Sequence, residues 1–84
     1  MLSLKARRHA IHEILEARFS LSALEEVRRQ NAPYWASPRN DMARGIYGEA
    51  MRAKQSLLGA SDEHIEAEIL GLQLERTSAR YQPG

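Results

Sequence analysis

The stretch Ile11-His12-Glu13-Ile14-Leu15-Glu16-Ala17-Arg18-Phe19-Ser20-Leu21-Ser22-Ala23-Leu24-Glu25 (residues 11–25) decides the fold. At about 100° per residue, Ile11, Ile14, Leu15 and Phe19 fall on one helix face, which Leu4 extends backwards. Leu21, Leu24 and Val27 fall on a face rotated well away from it. A stripe that changes direction predicts a kink or restart near residues 19–22, within a helical stretch from about Leu4 to Arg29 capped by Ser3. Two serines compete to open the second half. Ser22 with Glu25 has the form of a capping box, whereas Ser20 would place Phe19 and Leu24 at the positions of a hydrophobic staple.

Two breaks, Asn31 to Pro38 and Gly59 to Ser61, separate this stretch from two more. Ser37-Pro38 reads as an N-cap followed by proline at the first helical position, and Gly59 as a C′ glycine. Between them Met42, Ala43, Ile46, Tyr47, Ala50, Met51, Leu57 and Leu58 fill one broad arc, so this is expected to be the central helix. Gly45 and Gly48 weaken a helix interior, which close approach of another chain segment would offset. The third stretch opens on Ser61 with Asp62 and Glu63 favouring the helix dipole. Ile65, Ile69 and Leu72 line one of its faces, and Ala67, Leu70 and Leu74 the other. A short strand over Leu70, Leu72 and Leu74 is the weaker reading, because no second strand is visible to pair with it. Residues 77–84 read as a frayed tail, with Tyr81 as its one anchor.

The expected fold class is all-α: a single helical domain over residues 1–84, with a kinked N-terminal helix, a long central helix and a C-terminal helix. A chain of 84 residues buries only about 60–65% of the surface its unfolded form exposes. A three- to four-helix arrangement completed by dimerisation therefore accounts for the second apolar face, with Ile65, Ile69, Leu72, Leu70 and Leu74 as the dimer face.

Composition excludes several classes. With no cysteine there is no disulfide framework, thiolate zinc site or cysteine nucleophile. No apolar run approaches the roughly 20 residues of a membrane span, and the N-terminus lacks a signal-peptide core, so the expected location is the cytoplasm. Charge is divided: residues 1–58 carry +4 and residues 59–84 carry −3, giving the net +1. Near-neutrality argues against a strong nucleic-acid footprint. The opposed halves suggest that the acidic C-terminal segment docks on the basic remainder, within one chain or across a dimer, and solvated faces are an equal alternative.

Catalytic chemistry has little to work with. His9 with Glu13 and His12 with Glu16 are i,i+4 pairs, but the second histidine of a zinc-protease helix is missing, so a solvated polar face is the better reading. Glu25-Glu26 and Asp62-Glu63 are adjacent and point about 100° apart, so neither forms a local acid–base pair. No nucleophile elbow or phosphate loop appears. Neither an enzyme nor a cofactor or metal is expected. Lys54 falls in the apolar arc, where a lysine ordinarily lays its stem along the core and keeps its ammonium in water.

The loop Asn31-Ala32-Pro33-Tyr34-Trp35-Ala36-Ser37-Pro38 holds the one tryptophan beside a tyrosine, between prolines. Trp35 can plug the end of a small bundle. Alternatively, Tyr34 and Trp35 form an aromatic anchor rimmed by Arg28, Arg29 and Arg39, the residue types that dominate binding hot spots. The expected function is a small non-enzymatic regulator, inhibitor or adaptor that binds another protein through helix faces and this aromatic–arginine patch, of the kind found among phage and mobile-element accessory genes. The alternative is a dimeric DNA-binding transcriptional regulator using Arg7, Arg8, Arg28, Arg29 and Arg44. Against it, Gln30 to Ser37 is too long for the turn of a helix-turn-helix.

Overall fold

A computed structural model describes residues 1–80, with side chains described through Ser78. It is all-helical: α1 (Leu4–Phe19), α2 (Leu21–Gln30), α3 (Asp41–Leu58) and α4 (Asp62–Arg80), with single 3-10 turns at Ala32–Tyr34 and Pro38–Asn40 between α2 and α3. Ser3 caps α1 by accepting from the Ala6 N–H at 3.1 Å.

The restart comes at Ser20, whose φ of 52° and ψ of 51° put it in the left-handed region. Of the two serines, Ser20 takes the N-cap position of α2, but without a side-chain cap, and Ser22 forms no capping box. Ser22 turns instead to Glu16, whose carboxylate reaches forward from the end of α1. That carboxylate accepts from the Ser22 N–H at 3.0 Å and from its hydroxyl at 2.6 Å. A donor left open in the first turn of α2 is thus satisfied from the preceding helix. The same two bonds hold the Glu16 carboxyl below its ordinary value.

A side chain in the left-handed region costs roughly 1 kcal/mol or more, which glycine avoids at some cost in unfolded-state entropy. Ser20→Gly is therefore expected to be neutral or stabilising by up to about 1 kcal/mol, and Ser20→Val destabilising by more than about 1 kcal/mol. Urea unfolding of the two variants checks this. Equal losses from both would place the restart elsewhere.

α3 starts later than Ser37-Pro38 implies, because Pro38–Asn40 winds as a 3-10 turn and Ser37 makes no side-chain cap. Asn40 is buried and donates from Nδ2 to the Tyr34 carbonyl at 2.8 Å, fastening the loop to the start of α3. Gly59 ends the helix at φ −92°, in right-handed rather than left-handed backbone. The left-handed cap is unnecessary because the Arg7 guanidinium takes the terminal carbonyls of Leu57 and Leu58, at 3.2 and 3.1 Å. In α4, Ser61 caps as expected, accepting from the His64 N–H at 3.2 Å. The helix continues through residues 70–74, so no strand forms there, and it runs to Arg80; the rest of the tail, Tyr81 included, lies outside the described residues.

The helix shared by the whole fold is α1. α1 packs against α2, α3 and α4, while α2 also packs on α3. The core is Ile11, Ile14 and Leu15 of α1 with Leu21, Ala50, Leu57 and Ile65. Of the broad arc on α3, only Ala50 and Leu57 are buried. Met42 is 81% exposed, and Ile46 and Leu58 are exposed too. The inward face of α3 is Ala50 and Leu57, with Met51 and Ala53 packed against the core, so Met42, Ile46 and Leu58 lie outside it. Nothing closes on Gly45, and Gly48 meets only the flexible end of Arg52.

The result is a slab of 40 × 39 × 16 Å with a radius of gyration of 15.4 Å, against about 12 Å for a compact chain of this length. A 16 Å extent between Cα atoms corresponds to about two helix layers packed ~8–10 Å apart, so the chain spreads in two directions and is thin in the third.

Candidate partner-binding surfaces

At the loop end of the slab, α2, the 31–40 loop and α3 bring three side chains together. Trp35 meets Tyr47 edge to face, with ring centroids 6.0 Å apart and planes at 85°. Arg28 donates from Nη1 to the Tyr47 hydroxyl at 2.8 Å, and its guanidinium carbon lies 4.9 Å from the ring centroid. Trp35 is half-buried by this stacking, whereas Tyr34 stands 65% exposed beside it. Trp35 packs on Tyr47 and is not among the side chains packed against the core, and Tyr34 is the more exposed of the two. Arg39 is exposed; Arg29 is exposed and pairs with Glu26 one turn earlier. Below them Arg28, Arg29, Glu25, Ala32 and Tyr47 line an open hollow of about 510 Å³.

Tyr47 is the residue that sequence reasoning misplaced, because helical periodicity assigned it to the α3 apolar arc. It joins Arg28 and Trp35 across distances in the chain that periodicity does not reach. Met42, at 81% exposure on the first turn of α3, was likewise expected to face inward.

The five residues of the expected dimer face divide. Ile65 is fully buried within the chain, and Ile69 and Leu72 pack against the same core. Leu70 and Leu74 stand 55% and 59% exposed. Only the second face of α4 is open.

Most of the arginines expected for nucleic-acid contact are engaged inside the chain. Arg7 pairs with Asp62 at 2.7 Å, Arg28 with Tyr47, Arg29 with Glu26 and Arg44 with Asp41. Arg8 has no carboxylate within ion-pair distance among the described residues. Arg18 on α1 also pairs with Glu68 on α4. The acidic C-terminal helix thus docks on the basic N-terminal helix within one chain.

A groove of about 310 Å³ runs where α1, α2 and α3 meet. Ile11, Leu15, Leu21 and Leu58 supply its apolar lining; Arg8, His12, Glu25 and Lys54 stand around it. Lys54 is exposed, with its ammonium outside the core as a lysine in that arc requires.

His9 and Glu13 approach to 3.1 Å, and His12 and Glu16 to 3.8 Å, as exposed i,i+4 pairs. No three His, Asp or Glu side chains converge as a metal site among the described residues. No helix there is long and apolar enough to cross a membrane. No protein-family profile, no curated protein and no solved structure matches this chain.

Proposed function

We propose that this chain is a non-catalytic cytoplasmic protein that acts by binding another protein, as a regulator, inhibitor or adaptor. The observation that carries the reading is the uncovered apolar and aromatic surface of a 16 Å slab, with Tyr34 at 65% and Met42 at 81% exposure beside a pre-ordered Arg28–Tyr47–Trp35 cluster. Exposed aromatic and arginine side chains held rigid before contact lose little entropy on binding. Leu70 and Leu74 favour pairing with a second copy, and light scattering at about 100 µM that reports only monomer removes that part.

The test is capture from a lysate of the source cells with immobilised chain, with nuclease-treated and untreated halves in parallel. A discrete protein retained after nuclease is the expected result, reduced at least about tenfold by Tyr34→Ala with Arg39→Glu. Both positions are exposed and make no bond to the core, so the fold should survive. Recovery of nucleic acid alone would put a dimeric DNA-binding regulator in its place, with Arg8 as its first residue to mutate.

A further inference from the structure

The groove between α1, α2 and α3 has the wrong character for an ordinary surface hollow. Its floor holds Ile11, Leu15 and Leu21 from the core, and Leu58, which is 47% exposed although it is a large apolar side chain beside them. Two cations flank that floor, Arg8 from α1 and Lys54 from α3. Neither has a carboxylate within ion-pair distance among the described residues; Lys5, Arg28, Arg39, Arg52 and Arg76 share that property, but only Arg8 and Lys54 stand beside an apolar floor. His12 is already turned to Glu16 at 3.8 Å, and Glu25 is the one carboxylate on the rim.

From this charge pattern we infer that the groove seats an acidic amphipathic helix of a partner protein. The inference rests on the protein-binding reading and names the chemistry of what is bound. Apolar side chains of the partner at i and i+4 cover Leu58 and the floor, and carboxylates on its flank meet Arg8 and Lys54. The flank facing Glu25 carries a neutral or basic residue.

The chain's own α4 has a similar character, with Leu70 and Leu74 exposed among Glu63, Glu66 and Glu75, yet it fits this groove poorly. Leu70 borders Leu2 and Ala10, whereas the groove lies beside Arg8 and His12. Residues two apart on a helix point to nearly opposite sides, so the outer leucines of α4 and the groove face opposite ways. A closed two-fold pair of this chain cannot fill both grooves, and head-to-tail filling would propagate into rings or filaments.

The test uses the full chain and two labelled model helices, one with leucines at i, i+4 and i+7 flanked by glutamates, the other identical but with lysines. Fluorescence anisotropy should show the acidic helix binding at least tenfold tighter than the basic one. The double variant Arg8→Glu with Lys54→Glu, both exposed positions whose folding circular dichroism can check, should reverse that order. Leu58→Asp should weaken both helices. Equal binding of the two helices, or acidic-helix binding unchanged in the double variant, would overturn the inference. So would self-association of the chain that the double variant abolishes, since a second copy would then occupy the groove. Because this assay needs no captured partner, it can fail while the Tyr34 and Arg39 capture result stands.

Discussion

Ile14→Ala should cost about 3 kcal/mol of folding stability, within the ~2–5 kcal/mol range for truncating a buried isoleucine to alanine. Ile14 has no solvent-accessible surface, and it sits on α1, the helix against which the other three pack. The loss therefore falls on the shared layer and not on one helix pair. The core holds only seven buried apolar residues among the described residues, so truncating one of them removes a large share of it. Domains of this size hold only a few kcal/mol in reserve, so the variant should lie near its midpoint at room temperature, with a melting temperature lower by roughly 12–24 °C. Met42→Ala is the control: at 81% exposure it should stay within about 0.5 kcal/mol of the parent. A loss below about 1 kcal/mol for Ile14→Ala would mean that α1 is not the shared layer.

Those two residues also mark where the sequence is legible. The α1 stripe of Ile11, Ile14 and Leu15 could be read because three large side chains recur at helical spacing and all are buried. The restart could be read because the stripe changes direction at the residue where the backbone turns left-handed. On α3 the same method placed Met42 and Ile46 inward, since periodicity ranks side chains by hydrophobicity and takes no account of how closely helices approach. The face that packs is Ala50 and Leu57 with Met51 and Ala53, and small alanines carry little weight in such a ranking. The way Ser22 is satisfied was hidden for another reason: Glu16 caps it from the previous helix, across the break, so no box spacing signals it. The candidate site was half visible. Tyr34, Trp35, Arg28, Arg29 and Arg39 are grouped by sequence proximity, but Tyr47, which orders Arg28 and Trp35, and the Arg8–Lys54 groove are made by tertiary contact alone.

The second large effect belongs to Arg7. Its guanidinium donates from Nη1 to Asp62 Oδ1 at 2.7 Å, and from Nη2 to the carbonyls of Leu57, Leu58 and Ala60. One side chain on α1 therefore closes the end of α3, spans the Gly59–Ser61 turn and holds the start of α4. Removing it takes the side-chain donor from the Leu58 and Ala60 carbonyls and the ion pair from Asp62, while the Leu57 carbonyl keeps the Ala60 N–H at 3.1 Å. Arg7→Ala should therefore cost about 2 kcal/mol in urea unfolding. Arg7→Lys should recover less than half of that. An ammonium restores the charge beside Asp62 but not the planar fork that reaches several carbonyls at once. Acid unfolding separates the two contributions. The Leu2 N–H, bound at 3.0 Å, and then Arg7 hold the Asp62 carboxyl below its ordinary value. A carboxyl whose folded pKa is depressed stabilises the fold fully above its unfolded value, about 4, and loses that contribution as pH falls through the lower folded value. The parent should therefore lose stability as pH drops below about 4, with Glu16 contributing in the same window. Asp62→Asn should have a shallower acid slope while keeping the carbonyl bonds of Arg7. Arg7→Ala should be destabilised at neutral pH as well. If Arg7→Lys instead matched the parent at neutral pH, a point charge would suffice at this junction, and the directional bonds to the end of α3 would not be what joins α3 to α4.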